Sequence, residues 1–190
     1  MATLPSPRTW ATSDEPTAVM LNTDLRDAYG MFWNPPRALV YRSTGQSITA
    51  STYTLLVWDS EWYDSDGMHS TSLNTSRLTC VTSGVYEVVV HIEWQVTNDP
   101  TPGTRVVTVQ KNNNGGLTPF TSTEIAADVQ IVEISDATGR PQTNHLTFLV
   151  ALTVGDYLEC VVAHTAASAR STVESAGNRT TFGMLWMGAT

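Results

Sequence analysis

From Tyr86 to Val96 every even-numbered position is apolar (Tyr86, Val88, Val90, Ile92, Trp94, Val96), while Glu87, His91, Glu93 and Gln95 stand among the odd ones. Alternate side chains of a strand share a face, so the stretch from Gly84 to Val96 predicts a central strand with one face in a core. Its Val, Ile, Tyr and Trp residues also suit a pleated, half-buried surface. Shorter strands are predicted at Arg37 to Arg42, Tyr53 to Trp58, Arg77 to Thr82, Arg105 to Lys111, Leu146 to Val154, Tyr157 to Thr165 and Thr181 to Met187. Ile125, Ala127, Val129 and Ile131 alternate with Glu124, Asp128 and Gln130, which predicts another half-buried strand. Between the strands lie loops at Thr44 to Thr52, Asp59 to His69, Asn98 to Gly103, Asn112 to Gly116, Asp136 to Asn144 and Ala166 to Arg179. Gly155-Asp156 reads as a two-residue hairpin turn of type II′. About eight to ten short strands without long helices between them predict an all-β fold, an antiparallel double-sheet jelly roll, over residues 37–190.

The first 36 residues follow another period. Leu21, Leu25, Ala28 and Phe32 stand at i, i+4, i+7 and i+11, the spacing of one helical face. Thr17 is the expected N-cap and Gly30 the expected residue past the end, which predicts one short helix over about 17–29. Asn34-Pro35-Pro36 then blocks helix and marks the boundary between an arm, 1–36, and the jelly roll. A helix this short is marginal by itself in water, so its Leu21/Leu25 stripe, flanked by Trp10, Phe32 and Trp33, needs a surface to pack on. Two readings stand open: a helix folded back over its own sandwich, and an anchoring surface for a symmetry mate or another protein.

Composition narrows the partners. The formal net charge is -8 and no local basic patch interrupts it, so no nucleic acid is expected as a ligand. Charged residues make up only 15% of the chain, with Ser and Thr supplying much of the polarity. No apolar run is long enough for a membrane span, and Met1 to Trp10, with Pro5 and Pro7, has no secretory apolar region. The expectation is assembly in a cytosol, with the sequons at Asn74 and Asn178 reading only as polar loops. Cys80 and Cys160 fall on strand-like stretches and read as two buried thiols, with a disulfide as the alternative.

Candidate chemistry is thin. Asp59, Glu61, Asp64 and Asp66 with His69 form the densest polar cluster, and Asp64-Ser65-Asp66-Gly67 has the beginning of a Ca²⁺ loop without its remaining ligands. The cluster therefore reads as turn carboxylates, with a bound cation as the alternative. His69, His91, His145 and His164 are scattered without an H-x-x-x-H pair, so no zinc site and no other cofactor is expected. Neither a nucleophile elbow nor a phosphate loop is present, and the chain reads as no enzyme. Trp58, Trp62 and Tyr63 suit either core packing, assembly contacts or stacking on a sugar ring.

Taken together, Trp58-Asp59, Tyr63-Asp64, Gly67-Met68-His69, Arg77-Leu78-Thr79 and Gly84-Val85-Tyr86 occur in an order that resembles the jelly rolls of complement globular heads and tumour necrosis factors. Leu152 to Leu158 resembles the penultimate hairpin of that family, and Phe182 to Leu185 its last strand. The resemblance implies a homotrimer. The opening, with Leu21-Asn22-Thr23, Leu25-Arg26-Asp27 and Asn34-Pro35-Pro36 before a Val-Tyr-Arg strand, is similar to small virion proteins of tailed phages that infect actinobacteria. That likeness implies a structural protein at the virion surface, held by its arm to major capsid or tail proteins. Capsid decoration is the first expectation; a minor tail protein that acts as a receptor- or glycan-binding module on the host surface is the second.

Overall fold

The computed structural model describes residues 8–95, 103–114, 116–117, 123–132, 142–173 and 180–190. The turn expected around Pro100 and Pro102, Val96, residues 136–141 of the loop expected from Asp136 and residues 174–179 lie outside them, while Gln142 to Asn144, expected as loop, begin the strand Gln142–Leu152. Among the described residues twelve strands are found: β1 (Arg37–Tyr41), β2 (Ser47–Ile48), β3 (Thr54–Leu55), β4 (Ser60–Asp64), β5 (Arg77–Thr79), β6 (Gly84–Trp94), β7 (Gly103–Lys111), β8 (Glu124–Val132), β9 (Gln142–Leu152), β10 (Tyr157–His164), β11 (Arg170–Ser171) and β12 (Thr180–Gly188). They form a five-stranded sheet in the order β4-β1-β12-β6-β9 and a second sheet in the order β3-β10-β7-β8, with β5 also on β10 and a small β11-β2 pair beside them. Neighbouring strands are antiparallel throughout, which is the jelly roll that the spacing of strands predicts.

The core lies between the sheets. Tyr86, Val88, Val90, Ile92 and Trp94 of β6 are all buried, and they meet Ala38 and Val40 of β1, Val107 and Val109 of β7, Leu158, Cys160 and Val162 of β10, and Phe182 and Met184 of β12. Trp58 packs its ring 5.7 Å from that of Phe182. Both cysteines are free and buried. The thiol of Cys80 donates to the Thr82 carbonyl and sits 3.8 Å from the Tyr86 hydroxyl, which itself donates to Thr82 at 2.7 Å. Burial pushes the Cys160 thiol and the Tyr86 phenol far above their ordinary ranges, so both stay neutral at physiological pH.

Four expectations are corrected. The segment 59–69 is not all loop, because its first part pairs with β1 as the edge strand β4. Tyr53 to Trp58 forms only the two-residue β3. The connection Thr153 to Asp156 is not a hairpin: β9 belongs to the five-stranded sheet and β10 to the second, so the turn carries the chain across the sandwich. Asp156 N–H bonds the Thr153 carbonyl at 2.9 Å, and Gly155, the second central residue, has φ +93°, so the turn uses glycine where type II needs it. The Asp156 carboxylate fastens this corner by accepting from Thr153 N–H, Thr153 Oγ1, Asn112 Nδ2 and Lys111 Nζ, all within 2.9 Å. Burial alone would raise its pKa, but these donors outweigh burial and hold it well below the carboxylate range.

The fourth correction concerns the helix, which runs through residues 18–33 as Ala18–Leu21, a π-helical segment Asn22–Asp27, and Ala28–Trp33. Thr17 caps it as expected, accepting from Met20 N–H. Gly30 does not end it, because a glycine with no competing turn is tolerated within a helix. The stop comes from Asn34, which precedes Pro35 and leaves the helical region at φ -136°, ψ 71°.

Candidate interaction surfaces

The helix leaves its apolar residues uncovered. Leu21 is 42% exposed, Leu25 51%, Phe32 81% and Trp33 83%, and Val19 and Tyr29 are exposed as well. Met31 is its one buried residue, and no strand makes an extended contact with it among the described residues. Of the two sequence readings, the fold-back over the sandwich is therefore not the arrangement of the isolated chain. Trp10, also exposed, is held near the helix indirectly: Arg8 lies 5.4 Å from the Trp10 ring and bonds Asp24 of the helix at 2.9 Å.

A second surface lies on the outer face of the five-stranded sheet. Leu39, Tyr63, Glu87, Val89, Gly183 and Leu185 line a shallow groove of about 140 Å³. Gly183 is what keeps it open, since a Cβ there would stand 2.8 Å from Leu39 Cδ1 and 3.1 Å from the Ala38 carbonyl oxygen.

The third is the edge made by β8, and here the expected orientation is reversed. Val129 is 48% exposed and Ile131 76%, while Asp128 and Gln130 are half-buried. The cause is a β-bulge: Val109 pairs with Ala126 but Gln110 with Glu124, so Ile125 is an extra residue. One extra residue shifts the alternation by one and turns every later side chain to the other face. Ile125 still packs on the core, but Ala127, Val129 and Ile131 face out. The inward Asp128 is consumed by a polar network at this end of the sandwich. It accepts from Asn144 Nδ2 at 2.7 Å, and Asn144 Oδ1 accepts from Trp94 Nε1 at 2.7 Å. Leu149 of β9, 65% exposed, lies instead on the outer face of the five-stranded sheet, opposite Glu87 of β6.

A second bulge re-aims Trp62. Leu39 pairs with Tyr63 and Val40 with Glu61, which leaves Trp62 as the extra residue of β4. Trp62 and Tyr63 are both exposed, and Trp62 lies 5.2 Å from the Tyr41 ring. Trp58, by contrast, is a core residue.

The acidic cluster works as loop structure. Asp64 accepts from the backbone N–H groups of Asp66, Met68 and His69 at 2.9 to 3.1 Å, Glu61 bonds His69 Nδ1 at 2.7 Å, and Asp59 accepts from Ser43 N–H at 2.7 Å. Burial acts to raise the Asp59 pKa, but its hydrogen bonds from Ser43 and Ser60 and the Arg42 charge lower it overall. Among the described residues no group of three or more His, Cys, Asp or Glu side chains is placed to hold a metal ion. The Asp64 carboxylate thus closes the Asp64 to Gly67 turn on its own backbone.

No protein-family model matches the chain, and no curated protein matches it in sequence. Solved structures do match in shape. The globular domain of zebrafish complement 1qA protein superposes with a TM-score of 0.54 at 11% identity, covering 82% of this chain and 99% of that one. The tumour necrosis factor Eiger from S. frugiperda superposes with a TM-score of 0.53 at 15% identity, covering 82% and 94%. At such identities the likeness speaks for the fold: the chain is a jelly roll of the kind shared by complement globular heads and tumour necrosis factors, with a short helix at its N-terminal end.

Proposed function

We propose that the chain is a non-enzymatic structural protein of a phage virion, a homotrimeric jelly roll fixed at the particle surface by its N-terminal arm. The observation that carries this reading is the helix over residues 18–33, whose Leu21, Leu25, Phe32 and Trp33 are presented to solvent with Trp10 nearby. Apolar surface of that kind marks a site of interaction rather than a solvated linker. Its occupant on this reading is an apolar surface of a major capsid or tail protein. Capsid decoration is the placement adopted, since a compact head with one docking arm suits addition to a preformed threefold site.

The trimer reading is supported by two exposed apolar surfaces: an edge at Val129 and Ile131, and a groove kept open by Gly183. Different patches of one chain that meet head to tail close into a ring when the rotation allows. The test of the function is removal of residues 1–36. The shortened chain is expected to fold and to trimerise, yet to be missing from purified particles. Normal incorporation of the shortened chain would defeat the anchoring role.

One observation favours a second reading, a minor tail protein that binds a neutral host-surface glycan: the bulge that turns Trp62 outward beside Tyr41. An exposed aromatic face is apolar ground for a sugar ring. Retention of the purified protein on host cell walls, lost in Trp62→Ala, is the expected result on that reading, and absence of retention by the unaltered chain removes it.

A further inference from the structure

The turn from Asp64 to Gly67 sets Ser65 against the root of the arm. Asp64 holds that turn by accepting from the backbone N–H groups of Asp66, Met68 and His69, and the Ser65 hydroxyl meets the chain between the helix and β1. It accepts from Arg37 N–H at 2.9 Å and lies 3.1 Å from the Pro35 carbonyl oxygen and 3.3 Å from that of Arg37. A serine hydroxyl has one proton to give. It goes to Pro35, because the Arg37 carbonyl already accepts from Ser65 N–H at 2.9 Å. On the other side, Trp186 N–H donates to the Pro36 carbonyl at 2.9 Å.

These contacts account for the torsions that join the helix to the sheet. Each residue has two soft backbone angles, and a proline ring fixes φ, so Pro35 and Pro36 contribute only ψ. The ψ angle sets the direction of a residue's carbonyl, and both carbonyls are held, one by Ser65 and one by Trp186. Asn34 is the remaining joint. Its N–H donates to the Gly30 carbonyl at 2.9 Å, which keeps it on the helix, and the proline after it restricts its ψ. Little freedom is left for a hinge, which needs residues able to change both angles. A flexible tether has the opposite composition, rich in Gly and Ser with its carbonyls in water.

We propose that Ser65 is the positioning residue of the arm: its hydroxyl locks the exit from Pro35 to Arg37, so the helix is carried at a fixed angle to the sheets as a rigid mount. The purpose of that angle, to set the pose of the head on a particle, rests on the anchoring reading; the angle itself does not. The test uses the purified full chain without particles, so its failure leaves the incorporation result of the shortened chain unaffected. Spin labels go on Val19→Cys in the helix, 74% exposed, and on Val154→Cys at the corner before Gly155, 55% exposed, the native Cys80 and Cys160 being buried. Dilution with unlabelled chain confines the measured distances to one chain. With the junction unaltered, a single narrow distance distribution is expected. Ser65→Ala is expected to lose that narrow peak to a broad distribution while keeping the far-ultraviolet circular dichroism of the unaltered chain, and Ser65→Thr, which keeps the hydroxyl, to restore it. A broad distribution with the junction unaltered, a narrow one in Ser65→Ala, or a Ser65→Thr chain as broad as Ser65→Ala would overturn the assignment.

Discussion

In the proposed trimer, Leu185→Glu is expected to give a folded monomer, read by sedimentation as a fall from about three times the chain mass to the 20.7 kDa of one chain. Leu185 lines the groove on the outer face of β12, half-buried beside Gly183 and Leu39, so a charge there leaves the core between the sheets untouched. In a closed ring the same carboxylate would be covered by the apolar edge of the next copy, with no cation among the residues that line the groove. Burying an uncompensated charge costs several kcal/mol and is repeated at each of the three contacts, which is enough to abolish assembly at micromolar concentration. Ile131→Asp should do the same from the opposite side of the contact, since Ile131 is 76% exposed in the single chain. Both variants should keep the far-ultraviolet circular dichroism of the unaltered protein. A Leu185→Glu chain that remains trimeric would place the contact elsewhere.

The second large effect is on stability. Trp94→Ala is expected to destabilise the fold by about 3 to 5 kcal/mol, measured by urea unfolding. Trp94 is 1% exposed, with the His164 ring edge-on at 5.8 Å and the Arg105 guanidinium 5.6 Å from its ring. Its removal leaves a cavity and also strips the donor from Asn144 Oδ1, a group with no access to water at 0% exposure. Trp94→Phe separates the two contributions. It keeps most of the volume and loses only the N–H, so a loss of about 1 to 3 kcal/mol is expected. Equal losses in the two variants would mean that the hydrogen bond, rather than packing, dominates at this end of the sandwich.

Legibility in the sequence followed the reach of each physical signal. In β6 the alternation alone identified the buried face, because β9 pairs with it in unbroken register and the one irregularity of its pairing with β12, between Trp186 and Gly188, lies on β12. The same alternation in β8 pointed the wrong way. A single extra residue at Ile125 reverses it, and nothing in the local composition announces a bulge. The corner at Gly155 has the residues of a hairpin, yet it links two sheets, a choice made by the pairing of β9 with β6 and of β10 with β7. Ser65 and Pro35 lie far apart in the chain, and only the pairing of β4 with β1 brings them together. The exposed stripe of the helix, in contrast, was readable as spacing, since Leu21, Leu25 and Phe32 needed a covering that the single chain does not provide.

The most direct test of the anchoring arm is photochemical cross-linking within assembled particles. A photoreactive residue would be placed at Trp33 of the arm in one chain and at Leu73, 71% exposed on the head, in another. The expected result is an adduct between position 33 and one major particle protein, with no such adduct from position 73. Adducts from position 73 alone, or none with any particle protein from position 33, would contradict an arm that holds this protein to a virion.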